Sequence, residues 1–108
     1  KKMSNLIETV HLDKDLEDYI VKISAGTRTD HRVRVGASPR GSLALMRLAM
    51  ANAAINGRDY VLPDDIKEFI VSALSHRIML EPDYWMRKNA AEDILNGISR
   101  SVPVPVMK

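Results

Sequence analysis

The sequence contains no cysteine, which excludes disulfides and thiolate-held metals and suits a reducing compartment such as the cytoplasm. No apolar run approaches the roughly 20 residues that a membrane-crossing helix needs, so no membrane association is expected. None follows Lys1-Lys2-Met3-Ser4-Asn5 either, so a signal peptide is not expected there. Aromatic residues make up only 5%, and Tyr60, Phe69, Tyr84 and Trp85 suit a core or a partner surface better than base-stacking platforms. A net charge of +2 on 108 residues is too small to argue for nucleic acid. His11, His31 and His76 form no i,i+4 pair, so no metal site is expected. No serine has glycines on both sides as in a nucleophile elbow.

What remains is a chain with the length of one domain and 45% hydrophobic residues, enough for a core. Four stretches carry helical periodicity. The first spans about Lys14 to Ala25. Asp13 is its N-cap, Leu12, Leu16, Tyr19, Ile20 and Ile23 form one face, and Gly26 is placed to end it. The second spans about Pro39 to Asn56, with Ser38 as N-cap, Pro39 at the first helical position and Gly57 just past the end. It is apolar nearly all round and reads as the central, most buried helix.

The third helix spans about Pro63 to His76, with Ile66, Phe69, Ile70, Ala73 and Leu74 on one face. Asp64 and Asp65 in its first turn and His76 and Arg77 at its end suit the helix dipole, but Leu62 is a poor cap. The fourth spans about Ala90 to Ser99, with Asn89 and Glu92 spaced as a capping box and Ala91, Ile94, Leu95 and Ile98 facing inward. Val102-Pro103-Val104-Pro105 cannot continue a helix and reads as an extended tail over 102–108. Arg32-Val33-Arg34-Val35 alternates like a short strand, and residues 77–88 are expected to fold back onto the bundle. The expected fold is all-α: a four-helix bundle over about 10–101, with room for a short strand pair in the connecting loops.

The chemistry concentrates at Gly36-Ala37-Ser38-Pro39-Arg40-Gly41. Its two glycines have P-loop spacing, but Ser42 and Leu43 stand where a phosphate-binding Lys and a Mg²⁺-binding Ser or Thr belong, so it is not a P-loop. Arg40 falls in the first turn of the second helix, where a cation meets the positive end of the dipole at a cost of some tenths of a kcal/mol. An anion there would reverse that sign, accepting bonds from the free backbone N–H groups and from the guanidinium together.

Taken in order, Thr27-Arg28, Gly36-Ala37-Ser38-Pro39-Arg40, Gly57-Arg58-Asp59-Tyr60-Val61, Pro63-Asp64-Asp65-Ile66-Lys67, His76-Arg77-Ile78 and the Val-Pro repeat resemble the C-terminal lid domain of a MoxR-type AAA+ ATPase. The resemblance covers about residues 10–106 and identifies the fold as an AAA+ lid-type bundle. It implies a fragment of a longer ATPase, inactive in isolation, whose N-terminal core carries the P-loop and holds Mg²⁺. Arg40 would be the second sensor arginine, reaching the γ-phosphate of ATP, with Gly36, Ala37, Ser38 and Pro39 shaping the wall beside the nucleotide. Ile20 or Ile23 would help cover the adenine. The family forms homo-oligomeric rings, typically hexamers, and acts in chaperone-like remodelling, often with a von Willebrand factor A domain partner. Leu62 departs from the family, which more usually has a capping Thr or Ser there. The alternative reading is a helical module for protein or nucleic-acid interaction, built on Arg28, Arg32, Arg34 and Arg40.

Overall fold

A computed structural model describes residues 10–106; the stretch weighed against a signal peptide and the last two residues of the tail lie outside it. Asp13 caps the first helix, α1 (Lys14–Thr29), accepting a hydrogen bond from the Asp15 N–H at 3.0 Å. The helix runs past Gly26 to Thr29. Gly26 therefore does not end it. A Cβ at that position would lie 2.7 Å from Ile98 Cγ2, so the residue is small because the last helix crosses there.

A short strand follows, β1 (Val33–Val35), then α2 (Pro39–Ile55) and α3 (Pro63–Leu74). The second strand, β2 (Met79–Leu80), pairs antiparallel with β1, setting Val33 opposite Leu80 and Val35 opposite Met79. A single 3₁₀ turn (Pro82–Tyr84) leads to α4 (Ala90–Ser101). Among the described residues, four helices around one core, with a two-stranded ribbon in the loops, match the all-α expectation. The core is built from Leu16, Tyr19, Ile20 and Ile23 of α1, Leu45, Ala49 and Ala53 of α2, Ile66, Ile70 and Leu74 of α3, and Ile94, Leu95 and Ile98 of α4.

Three expectations need correction. The second helix is not buried all round. Its inward stripe is Gly41, Leu45, Ala49 and Ala53, three of which are small and let α3 pack closely, whereas Leu43, Leu48 and Ile55 are exposed. Asn89 does not form a capping box with Glu92. It adopts a left-handed conformation (φ 61°) and makes no side-chain cap bond, because the chain turns sharply there out of the 3₁₀ segment. On α4 the fully inward residue of the first turn is Ala90, and Ala91 is half-buried.

The loop between α2 and α3 is held by an ion-pair network. Asp65, 2% exposed, receives Arg58 Nη1 at 2.7 Å and Nη2 at 2.8 Å, Asn52 Nδ2 at 2.7 Å and the Leu62 N–H at 2.7 Å. Burial alone would raise its pKa; the bonds from Arg58, Leu62 and Asn52 outweigh that and hold the carboxyl below the usual range. The same loop is bridged to the segment before α1, where His11 N–H donates to Asp59 O at 2.7 Å and Val61 N–H to His11 O at 3.0 Å. Gly57 sits at the expected left-handed position after α2 (φ 76°).

Candidate functional site

The segment from Gly36 to Gly41 is clamped before its helix begins. Thr27, fully buried in the last turn of α1, accepts a bond from the Ala37 N–H at 2.8 Å and donates to Ser24 O at 2.6 Å. Arg28 Nη1 donates to Ala37 O at 2.7 Å and reaches Ser24 Oγ at 3.4 Å. Both backbone polar groups of Ala37 are thus satisfied by side chains of α1, and Ala37 itself is buried. Gly36 lies against the Arg28 backbone, where a Cβ would come within 2.7 Å of its N and Cα. Gly41 lies against the far end of α3, where a Cβ would meet Leu74 Cδ2 at 3.1 Å and Arg77 Cδ at 3.4 Å. The P-loop-like glycine spacing therefore reflects two packing contacts, one with each neighbouring helix.

Between these fixed points Ser38, Pro39 and Arg40 are exposed. Ser38 makes no side-chain cap bond, and the first turn of α2 contains no acid. Among the described residues Arg40 has no hydrogen-bond or ion-pair partner, so a free guanidinium stands at the positive end of the α2 dipole. Pro39 has no N–H and the Gly41 N–H donates to Ser38 O at 2.9 Å, so the dipole and the Arg40 guanidinium are what this end of α2 offers an anion. Arg77, also exposed, adds its stem to this corner by lying across Gly41.

Two other members of the arginine cluster, Arg28 and Arg32, are used internally. Arg28 serves the clamp. Arg32 pairs with Asp30, donating through Nε at 2.9 Å and Nη2 at 2.7 Å, and these bonds hold the Asp30 carboxyl below its usual range. Arg34 and Arg40 remain exposed, too few to form a phosphate-tracking surface, and the nucleic-acid reading loses its basis. Ile20 and Ile23 are 0% exposed and belong to the core. They cannot touch an adenine without unfolding α1, so that expectation is withdrawn. No group of three or more His, Asp or Glu converges among the described residues.

A family model described as "AAA lid domain" matches residues 25–98. The chain belongs to the AAA lid domain family. Its relatives carry the MoxR resemblance read from the motifs. The lid is 42% identical over 102 residues to the uncharacterised protein YeaC of Bacillus subtilis, covering 94% of this chain and 32% of that one. It is 34% identical over 99 residues to the chaperone MoxR1 of Mycobacterium tuberculosis, covering 83% of this chain and 26% of that one. In the crystal structure of an inferred ATPase from Cytophaga hutchinsonii, the matching part superposes with a TM-score of 0.86 at 33% identity, over 94% of this chain and 34% of that one. The lid thus spans about a third or less of the length of these proteins.

Motif reading found the Gly36–Arg40 segment but not what holds it. Thr27 and Arg28 are adjacent in the sequence and carry no pattern that announces a clamp on a segment several residues on. Arg77 looked like a complement to the α3 dipole. Only the crossing of α2 and α3 brings it to Gly41.

Proposed function

We propose that this lid serves a MoxR-type AAA+ ATPase as its nucleotide-sensing element, with Arg40 as the second sensor arginine. The observation that carries the reading is the clamped segment. Thr27 and Arg28 fix Ala37, and three residues later an exposed, unpaired Arg40 stands at the head of α2. The residues fit a γ-phosphate. An exposed guanidinium stands in the first turn of α2, at the positive end of its dipole, and the turn contains no acid to repel an anion. Gly36, Ser38 and Pro39 border that end of the helix, and the buried Ala37 anchors them from behind through its bonds to Thr27 and Arg28. ATP and its Mg²⁺ would be held by the N-terminal core domain, which would supply the metal ligands and the attacking water.

The role of Arg40 is differential. ATP offers it a γ-phosphate and ADP does not, so its contact energy differs between the two states, and only such a difference can reorient a lid. It also stabilises charge on the transferred phosphoryl group, a contribution that for a positioned arginine can reach 10³-fold or more. The chaperone name of the Mycobacterium tuberculosis relative supports extending this to remodelling of client proteins. A hexameric ring, a von Willebrand factor A domain partner and a cytoplasmic setting complete the proposal.

The test is Arg40→Ala in the full-length ATPase. Turnover should fall at least tenfold with the melting temperature unchanged, since Arg40 contacts nothing that holds the fold. Turnover at the wild-type rate would refute the assignment.

A further inference from the structure

A second surface lies away from Arg40. An open cleft of about 600 Å³ runs between α3, the C-terminal half of α4 and the chain that follows. Its polar lining consists of Lys67, Asn96, Ser99 and Arg100. Every one of these side chains can donate a hydrogen bond, two are cations, and no carboxylate among the described residues lines the cleft. Its apolar lining is Val102, Pro103 and Val104. That stretch has left the helix and runs extended, with no regular structure after Ser101. Proline at 103 and 105 removes alternate N–H groups, so Val104 keeps a backbone donor between two residues that have none.

The combination selects its occupant. A mixed lining of donors and aliphatic surface suits a segment with carboxylates on one side and apolar side chains on the other. An extended backbone alternates its side chains in that way. It can also lie alongside residues 102–104 and pair with the Val104 peptide, as in strand addition. Two cations are too few to track a nucleic-acid backbone, and the valine and proline surface would be wasted on one. We infer that this cleft is a docking site for a short, extended acidic–apolar segment of a protein partner. The inference does not depend on the assignment of Arg40.

Fluorescence anisotropy of a labelled octapeptide alternating Glu and Val, titrated with the full chain, tests it. Saturable binding is expected, weakening with salt. Lys67→Glu combined with Arg100→Glu should reduce affinity at least tenfold, with the circular dichroism spectrum unchanged because both side chains are exposed. If that pair perturbs the fold, Lys67→Gln with Arg100→Gln gives the same reading at smaller amplitude. A peptide alternating Lys and Val should not bind. The proposal is overturned if the acidic peptide fails to bind, if the lysine peptide binds equally well, if charge reversal leaves affinity unchanged, or if a single-stranded RNA oligomer competes the peptide away. Arg40→Ala should leave this binding untouched, which separates failure here from failure of the nucleotide-sensing reading.

Discussion

Gly36 and Gly41 are chemically identical, yet each is small for a different neighbour: the backbone of α1 in one case and the end of α3 in the other. The same contrast separates Arg28 from Arg40. One spends its guanidinium on Ala37 O and the other has no partner among the described residues. Tyr19 presents the opposite situation. It is 1% exposed and its hydroxyl has no hydrogen-bond partner among the described residues, a buried polar atom that costs of order 1–3 kcal/mol. Removing the hydroxyl while keeping the ring should relieve that cost. Tyr19→Phe is expected to leave the melting temperature unchanged or raise it by about 4 °C or more. A fall of several degrees in a thermal melt would mean the hydroxyl has a partner in solution.

At the scale of elements, the start of α3 shows how a weak local signal is compensated. Leu62 cannot cap, but Asp65 accepts the Leu62 N–H and so supplies half of a capping box. The other half, a side-chain acceptor for the N3 N–H, is missing because leucine has none. Leu62 is half-buried and stands outside the cluster of packed core residues, so little is lost by replacing it. Leu62→Thr should therefore stabilise the domain by about 1 kcal/mol, read as a higher denaturation midpoint in urea at constant m. α2 makes the complementary point. Its composition suggested a wholly buried helix, but packed in this bundle it has one inward stripe, filled by Leu45 with one glycine and two alanines.

For the molecule as a whole, the buried Asp65 network links acid stability to the loop between α2 and α3. The folded pKa of Asp65 is depressed, so the unfolded chain binds the proton more readily. The stabilisation is present above the unfolded value of about 3.9 and is lost as pH falls through the folded pKa. Between about pH 5 and pH 3 the denaturation midpoint should drop. Asp65→Asn should lower stability at pH 7 by roughly 2 kcal/mol, since it leaves Arg58 without its anion, and should flatten the acid dependence. Chemical denaturation of both proteins at pH 7 and pH 3.5 checks this; parallel losses on acidification would assign the acid sensitivity to other carboxylates.

The helices and their order were determined locally. Periodicity, Asp13, the Ser38-Pro39 start and the Gly57 stop act within a turn or two of where they stand, so the sequence alone sufficed for them. The alternation at Val33–Val35 was equally legible as a strand, though its partner at Met79–Leu80 was not. The helix end at Gly26 went astray because a glycine has the same local meaning whether it ends a helix or admits a neighbour; the start at Ala90 was legible, but the left-handed turn at Asn89 that replaces the capping box was not. The position of Arg40 in the first turn of α2 was in the sequence. Its being held there, by Thr27 and Arg28 reaching across from α1 and by α3 closing on Gly41, was decided only by tertiary structure. Those contacts join residues whose separation along the chain carries no signal, and they exist only once the helices pack.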